Sequence, residues 1–417
     1  MSGPWVPVDP LPDGEFRRIR RRAIFDCLKW DPQVQDVCTI AGFPLVLRAE
    51  AWSELRALAE LLARETAAAE RELVARPELH RSLGLPTRAR KALGRAARAG
   101  SPVGRARLER FDFHLAADGW RITEVNSDVP GGINEASGYA ALFAPHVPHA
   151  VAVGDPAAAY ARALSDALAP GSRIALVHAT AYTDDAQVMR YLARCLEERG
   201  ARPLLASPAH LRWRDGFAST ETLWDRGPLD ALVRFFPAEW LTDLPARCGW
   251  TLWFAGAMTP LSNPATAILT QTKRFPLVWD ALATSLPTWR RLLPETRDPR
   301  EVPTAHGDQW VLKPALGRIG EDIAMPSVTP PDEWRRIARA ARRHPDSWVA
   351  QRRFESVPLE TPAGPVFPCI GVYTVDGRAV GAYGRVARRP LIDWSAQDAP
   401  VFVIAQPPPL TRGVHVH

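Results

Sequence analysis

The chain has 417 residues, of which 46% are hydrophobic and 24% are charged, and its formal net charge at pH 7 is +6. This length indicates about two or three domains, and the lack of any run of about 18 apolar residues argues against a membrane span. The basic cluster at residues 17–22 is not followed by an apolar segment, so no signal peptide is predicted and we expect a cytoplasmic protein. The mild positive charge favours acidic or phosphate-bearing substrates.

Helices are predicted in the first third of the chain at residues 13–29, 49–75, 88–99 and 134–143. The segment 49–75 is the clearest, because its leucines and alanines recur at helical spacing. The segments 17–22 and 88–99 are rich in arginine, but no aromatic interleaving or nucleic-acid motif accompanies them. A solvated helix face is therefore the preferred interpretation of this charge.

A β-hairpin is predicted between these helices, with strands at residues 111–115 and 120–125. The loop 117–119 ends in glycine, which suits a left-handed backbone, and a three-residue loop would place Ala116 opposite Trp120. Side chains at alternate positions of such strands share one face.

The polar face of this hairpin predicts a magnesium site. Asp112 would lie opposite Glu124, and Arg110 opposite Asn126. Two carboxylates and an amide oxygen are ligands that suit Mg²⁺, and the carboxylates would repel each other unless a cation or Arg110 lay between them. The alternative is a half-exposed hairpin whose polar side chains face water.

Predicted strands and helices alternate in the middle of the chain. Helices are predicted at 156–169 and 184–199, and strands at 173–178, 202–206 and 229–235. This alternation is typical of a parallel sheet. No G-x-G-x-x-G follows the first strand, so a dinucleotide site is not predicted.

The last third contains a predicted helix at 264–283 and a strand ending at Lys313, followed by the glycine-containing loop 314–320. A lysine leaving a strand before such a loop can bind phosphates, although an ordinary strand–helix connection is the alternative. Lysine occurs only at positions 29, 91, 273 and 313, and this scarcity singles out Lys273 and Lys313 as compact point charges.

The remaining elements are a helix at 331–343 and strands at 348–351, 369–375 and 378–386. Asp376-Gly377 between the last two strands is a strong signal for a two-residue hairpin turn.

Five segments, in order, resemble the synthetase domain of the glutathionylspermidine synthase family of ATP-grasp ligases: RFDF…EVNSD, TKRFPLVWD, VLKPALGRIGED, WVAQRRFE and GVYTVDGRAVGAYGRVA. The resemblance covers roughly Arg107 to Val403, and the metal motif precedes the nucleotide lysines, as in that family. It implies an α/β (α+β) ATP-grasp fold with an associated Rossmann-like parallel-sheet pre-ATP-grasp domain.

The resemblance also implies three groups of site residues: the Mg²⁺ ligands Asp112, Glu124 and Asn126, the ATP contacts Lys273, Lys313 and Gln351, and the catalytic arginines Arg110, Arg318 and Arg385. Arg110 would steady the transferring phosphoryl group, Arg318 would meet the acyl substrate and Arg385 would face phosphate. Val129 and Gly131 stand where the family has glutathione-contacting serines, so glutathione itself is not implied.

The implied domain order is an N-terminal helical segment (1–100), a metal-binding hairpin belonging to the ATP-grasp domain (101–150), a pre-ATP-grasp-like α/β domain (151–245) and the nucleotide-binding part (246–417).

The expected function is an ATP-dependent carbon–nitrogen ligase that joins a peptide or amino-acid carboxylate to an amine through an acyl phosphate. ATP and Mg²⁺ are the expected cofactors, and no nucleic-acid or membrane partner is expected. Two alternatives remain open: a non-catalytic nucleotide-binding regulatory protein on the same fold, and an RNA-binding protein that uses the arginine-rich helices.

Overall fold

The computed structural model describes residues 3–99, 106–302, 309–317 and 322–404. No helix within these ranges is both long enough and apolar enough to cross a membrane. The α-helices of this part of the chain are α1 (Asp13–Asp26), α2 (Ala49–Ala75), α3 (Thr87–Ala99), α4 (Ile133–Phe143), α5 (Pro156–Ser165), α6 (Thr183–Glu197), α7 (Ala238–Leu241), α8 (Leu252–Ala255), α9 (Ile268–Gln271), α10 (Pro287–Leu292) and α11 (Pro331–Arg343).

The strands complete a mixed α/β architecture. In chain order they are β1 (Trp5–Val6), β2 (Gln33–Val34), β3 (Val37–Cys38), β4 (Leu45–Leu47), β5 (Leu108–Ala116), β6 (Gly119–Asn126), β7 (Ala150–Ala152), β8 (Arg173–His178), β9 (Arg202–Ala206), β10 (Leu211–Arg214), β11 (Phe217–Glu221), β12 (Arg226–Pro228), β13 (Ala231–Phe235), β14 (Leu261–Ser262), β15 (Thr296–Arg297), β16 (Trp310–Pro314), β17 (Trp348–Arg352), β18 (Phe367–Val375), β19 (Arg378–Ala387), β20 (Gln397–Ala399) and β21 (Val401–Ile404).

A central antiparallel sheet joins the predicted hairpin to the C-terminal strands in the order β20-β19-β18-β5-β6. The turn between β18 and β19 has the predicted two-residue form, since Val375 pairs with Arg378. Asp376 and Gly377 both have positive φ, 49° and 74°, which matches the twist of the flanking strands. Helix α2 packs on this sheet through its buried residues, which include Leu55, Leu58 and Leu62.

The predicted parallel sheet is present, with the order β14-β13-β8-β9. Its strands β8 and β9 cover the predicted residues, and β13 begins two residues later than predicted. Helices α5 and α6 pack against each other, and side chains such as Leu164, Val188 and Leu192 share one buried cluster with β8 and β13.

A smaller antiparallel sheet, β15-β17-β16, carries two of the predicted nucleotide contacts. Helix α11 covers one face of it, where Ile337 and Ala341 share a buried cluster with Trp310 and Leu312. Another sheet, β1-β4-β21-β7, ties strands near both ends of the described chain together.

The hairpin of β5 and β6 differs from the prediction near its turn. Ala116 pairs with Gly119, not with Trp120, so the predicted three-residue register is wrong there. A register shift between Asp112 and Phe113 compensates for this difference. The bulge adds one residue to the β6 side, and the pairs farther from the turn are the predicted ones.

The helix predicted at 264–283 is broken. A short 3₁₀ turn at Ala265–Ala267 leads into α9, the backbone becomes extended at Thr272 with ψ 132°, and a second 3₁₀ segment covers Phe275–Ala281. Lys273 lies in the break and not on a helix. Similarly, α1 ends at Asp26, before the predicted end at residue 29.

Candidate functional site

A cleft with a volume of about 350 Å³ is lined by residues of β5, β6, β16, β17, β18 and β19 and of helices α4 and α6. Predicted site residues from five separate regions of the sequence line this cleft together: Arg110, Asp112, Glu124, Asn126, Lys273, Lys313, Gln351 and Arg385. Arg318 lies outside the described residues, so its role stays a prediction.

The predicted opposed pairs of the hairpin are present: Asp112 lies opposite Glu124, and Arg110 opposite Asn126. Arg110 holds Asp112 in a bidentate ion pair, with Nε–Oδ1 at 2.7 Å and Nη2–Oδ2 at 2.8 Å. Arg110 Nη1 donates to the carbonyl of Gly131 at 2.7 Å. Burial alone would lower the pKa of Arg110, but Asp112 holds that pKa well above its ordinary value, so the guanidinium is a fixed positive charge.

Gly371 on β18 lies directly opposite Asp112. A Cβ atom at this position would lie 2.7 Å from Arg110 Cδ and 2.8 Å from Asp112 Oδ1, closer than side chains tolerate. Glycine is therefore needed for the Arg110–Asp112 pair to cross the neighbouring strand.

Each carboxylate of the hairpin face has its own protein cation. Glu124 Oε2 lies 3.0 Å from Lys273 Nζ, as Asp112 lies against Arg110. Burial alone would raise the pKa of Glu124, but Lys273 and Lys313 outweigh it and lower the pKa to about 2. Both carboxylates are thus balanced by protein cations, and their closeness does not by itself require a metal.

The oxygens of this face still suit a hard cation. Asp112 and Glu124 supply carboxylates, and Asn126 supplies an amide whose nitrogen donates to Asp112 Oδ2 at 3.1 Å, so its oxygen is the remaining acceptor. No group of three or more His, Cys, Asp or Glu side chains within the described ranges could hold a metal ion. The donor set fits Mg²⁺ by chemistry, and the metal assignment stays a prediction.

Lys273 reaches the cleft because the chain is extended at Thr272. Its Nζ donates to the carbonyl of Gly317 at 3.1 Å in addition to the contact with Glu124, and its backbone N–H donates to Ala315 at 2.9 Å. The break therefore ties the loop after β16 to the hairpin face. Gln271 reinforces this link by accepting backbone N–H groups just after β6, at 2.8 Å and 3.0 Å.

The buried side chain of Arg274 fixes the backbone next to the break at Lys273. It is 3% exposed, and its guanidinium binds Asp298 Oδ2 at 2.8 Å and the carbonyls of Ser82, Pro345 and Trp348 at 2.7–2.9 Å. These bonds hold the backbone of Arg274, and with it the direction of Lys273. Sequence reasoning missed Arg274, because nothing local marks a buried arginine as an anchor.

Lys313 and Gln351 lie on adjacent strands of the small sheet and contact each other directly. Lys313 Nζ donates to Gln351 Oε1 at 2.7 Å, and Gln351 Nε2 donates to Thr296 Oγ1 at 3.2 Å. Both side chains are buried. Burial, reinforced by the nearby ammonium of Lys273, lowers the pKa of Lys313 to about 8.

Arg385 on β19 lies beside Cys369 and faces the cleft. Its Nη2 donates to the carbonyl of Asp393 at 2.9 Å, while its buried Nε has no hydrogen-bond partner among the residues that the structure describes. A buried donor of this kind is suited to an anionic ligand.

His114 was not among the predicted site residues, but it lines the same cleft, on the strand face of Arg110 and Asp112. Burial, with the positive charge of Lys313, lowers the pKa of His114 to about 4, so the imidazole is neutral at pH 7. The period-two pattern Arg110-Asp112-His114 was the signal that could have placed it at the site.

The opposite end of the cleft is acidic. Carboxylates from several elements line it: Asp31, Glu135, Asp184, Asp185 and Asp398. Tyr383 connects this end to the hairpin face, because its ring lies 5.4 Å from the Arg110 guanidinium and its hydroxyl donates to Asp398. The cleft is thus basic around Lys273 and Lys313 and acidic beyond Tyr383.

A family model described as glutathionylspermidine synthase preATP-grasp matches residues 45–403. Among curated proteins, no sequence matches the chain. Among solved structures, a glutathione synthetase-like effector from Globodera pallida in its apo form matches with a TM-score of 0.64 and 12% identity, over 94% of this chain and 96% of that chain. At this identity the likeness concerns the fold.

A putative gamma-glutamylcysteine synthetase from Methylobacillus flagellatus also matches, with 14% identity over 83% of this chain and 85% of that chain. Its TM-score of 0.40 is too low to support an argument.

Proposed function

The chain belongs to the glutathionylspermidine synthase preATP-grasp family and has the expected ATP-grasp fold, and on this premise we propose that it is an ATP-dependent carbon–nitrogen ligase. It would join a substrate carboxylate to an amine and release ADP and phosphate. We also propose the four-part domain division that was predicted from the sequence.

The single observation that carries the proposal is the charge order along one cleft. Lys273 pairs with Glu124 on the hairpin face, which also carries the Arg110–Asp112 pair. Tyr383 then links Arg110 to Asp398 of the carboxylate-lined part. A polyphosphate, a reacting carboxylate and a cationic amine require this order of charges. A nucleotide-binding protein without a second substrate has no need of the acidic end.

The reaction has two steps. A carboxylate oxygen of the acid substrate attacks the γ-phosphorus of ATP; an O–P bond forms, the bond to the β,γ-bridging oxygen breaks, and ADP leaves. The amine first gives its ammonium proton to solvent. Its neutral nitrogen then attacks the acyl carbon; a C–N bond forms, the C–O bond to phosphate breaks, and the new amide nitrogen loses a second proton to solvent. Such chemistry depends mostly on positioning and charge neutralisation.

The protein would supply fixed charge at each stage. Lys273 and Lys313 would neutralise the phosphates of ATP, and Arg110, already held by Asp112, would face the transferring phosphoryl group. Arg385, with its unused Nε donor, would meet phosphate oxygens. Gln351 positions Lys313 through their 2.7 Å hydrogen bond. Arg318 would meet the acyl substrate.

Asp112, Glu124 and Asn126 would hold Mg²⁺. When bound, this ion would screen phosphate charge and act as a Lewis acid on a phosphoryl oxygen.

The acidic end would hold the amine substrate. A carboxylate-lined pocket favours ammonium groups and disfavours a second acid. The acid substrate would therefore enter on the side of Val129 and Gly131, which also line the cleft.

The test is ADP release from Mg-ATP across a matrix of carboxylates and amines that includes glutathione and spermidine. We expect turnover only when both an acid and an amine are present. Glu124→Gln should reduce it at least 100-fold. The matched control is Asp280→Asn, because the Asp280 side chain is 94% exposed in a surface ion pair. ATP binding without any acid- and amine-dependent ADP release would contradict the ligase proposal and favour a nucleotide-binding regulator.

A further inference from the structure

The loop of residues 388–396, between β19 and β20, forms one wall of the cleft. Leu391, Ile392 and Trp394 of this loop line the cleft, and Trp394 is 47% exposed. We call these three side chains the apolar wall. A large apolar side chain that is exposed inside a cleft is suited to contact a ligand.

The loop is held in the conformation that presents these side chains. Asp393, between Ile392 and Trp394, is 8% exposed. Its Oδ1 accepts the backbone N–H of Ser395 at 2.9 Å, and its Oδ2 accepts from Arg389 Nη2 at 2.8 Å. The polar side chain is thus bound within the loop, while the apolar side chains before and after it line the cleft. A wall that is fixed in this way loses little conformational entropy when a ligand binds.

The apolar wall lies next to the arginine that is proposed to meet phosphate oxygens. Arg385 Nη2 donates to the carbonyl of Asp393 at 2.9 Å, and Asp393 directly precedes Trp394. After the first step of the proposed reaction, the acid substrate carries the phosphoryl group on its carboxylate. The side chain nearest to that carboxylate therefore lies within reach of the apolar wall.

The nucleotide has a separate apolar surface in the same cleft. Val311 on β16 and Phe354 after β17 line it, beside the proposed ATP contacts Lys313 and Gln351. The loop 388–396 instead follows β19 of the central sheet. Adenine is the one broad apolar group of ATP, so it occupies one of these two surfaces. The apolar wall remains for the acid substrate, because the carboxylate-lined part is proposed to hold the amine.

We propose that the apolar wall binds an apolar side chain on the residue that carries the reacting carboxylate. The acid substrate is then an amino acid or peptide with an aliphatic or aromatic C-terminal residue, and covering the wall removes apolar surface from water. Val129, on the side where the acid is proposed to enter, adds a further apolar side chain to the lining. Glutathione ends in glycine and would leave the wall uncovered. This inference rests on the proposed ligase function.

The test compares dipeptide acids that differ beside the carboxylate, each with the amine that gives the fastest turnover. The kcat/KM for ADP release should be about 10-fold or more higher with glycylleucine than with glycylglycine, as expected when an apolar side chain enters an apolar pocket. Leucylglycine has the composition of glycylleucine but carries its side chain on the other residue, and it should behave as glycylglycine does. Equal kcat/KM values for the three dipeptides would overturn the proposal.

Two variants of Trp394 test the wall itself, and its exposed position in a loop makes a large loss of stability unexpected. Trp394→Ser should lower the glycylleucine-to-glycylglycine ratio roughly 10-fold, whereas Trp394→Phe keeps an apolar ring and should retain the ratio. Trp224→Ser is the matched control, because Trp224 is 94% exposed and is not among the residues that line the cleft. An unchanged ratio in Trp394→Ser, or a change in the KM for ATP alone, would overturn the proposal.

The rise in Tm that each dipeptide causes, measured with Mg²⁺ and the β,γ-imido analogue of ATP, separates the two hypotheses because it reports binding without turnover. If no pair of acid and amine supports ADP release, the ligase proposal fails, while a larger rise with glycylleucine than with leucylglycine that is lost in Trp394→Ser still supports the apolar wall. Turnover without a preference for glycylleucine overturns the role of the wall and leaves the ligase proposal standing.

Discussion

Lys273 and Glu124 form an ion pair of 3.0 Å across the cleft. This pair joins the break after α9 to the hairpin of β5 and β6. The same lysine is proposed to bind ATP, so Glu124 and the phosphates compete for one ammonium group. Because of this competition, replacing Lys273 and replacing Glu124 should change ATP affinity in opposite directions.

The first prediction concerns ATP affinity without metal. Lys273→Gln should weaken ATP binding about 10-fold or more, as expected when a charged hydrogen bond worth about 1.5–3 kcal/mol is lost. Glu124→Gln should bind ATP more tightly than wild type in EDTA, because Lys273 is released, yet lose turnover with Mg²⁺. Isothermal titration calorimetry measures both affinities. Weaker ATP binding by Glu124→Gln in EDTA would contradict the competition.

The second prediction is a pH dependence. Lys313 has a pKa of about 8, lowered by burial and by Lys273, so its ammonium is charged below pH 8 and becomes neutral above it. The KM for ATP should therefore rise as the pH passes through about 8. Lys313→Arg keeps its charge throughout this range and should remove this rise. A KM for ATP that is equally flat from pH 7 to 9 in wild type and variant would contradict the assignment.

The third prediction concerns the glycine that faces the hairpin. Gly371→Ala should displace the Arg110–Asp112 pair, since its Cβ would lie 2.7 Å from Arg110 Cδ. We expect turnover to fall at least 10-fold and stability by about 1–3 kcal/mol, the usual cost of overpacking. Gly42→Ala is the control, because nothing lies within 4 Å of a Cβ at that position. Kinetics and urea unfolding of both variants measure the difference, and equal turnover would count against the role of Gly371.

The opposed pairs of the hairpin face could be predicted from the sequence because strand alternation is a local rule. Arg110, Asp112, Glu124 and Asn126 pair as expected even though the turn does not. The turn was mispredicted because the compensating bulge depends on how β5 and β6 fit the whole sheet, which no local pattern records.

The break at Lys273 could not be predicted, because tertiary contacts override a helical pattern. Thr272 Oγ1 donates to the carbonyl of Leu83 at 2.9 Å, and Arg274 binds Asp298 at 2.8 Å; both partners are distant in sequence. The acidic end was missed for the same reason, because its carboxylates come from separate elements.

The last prediction tests the anchor of the break. Arg274→Met should destabilise the protein by about 3–5 kcal/mol, because it leaves the buried carboxylate of Asp298 with fewer partners and removes bonds to three carbonyls. Arg290→Met is the matched control, since Arg290 pairs with the exposed Asp280 at the surface and such pairs contribute about 0–1 kcal/mol. Urea unfolding measures both losses. Under conditions where Arg274→Met remains folded, it should bind ATP more weakly than wild type, as expected for Lys273→Gln, because the backbone that directs Lys273 is no longer held. A folded Arg274→Met protein with unchanged ATP affinity would show that Lys273 is positioned by the Ala315 and Gly317 contacts alone.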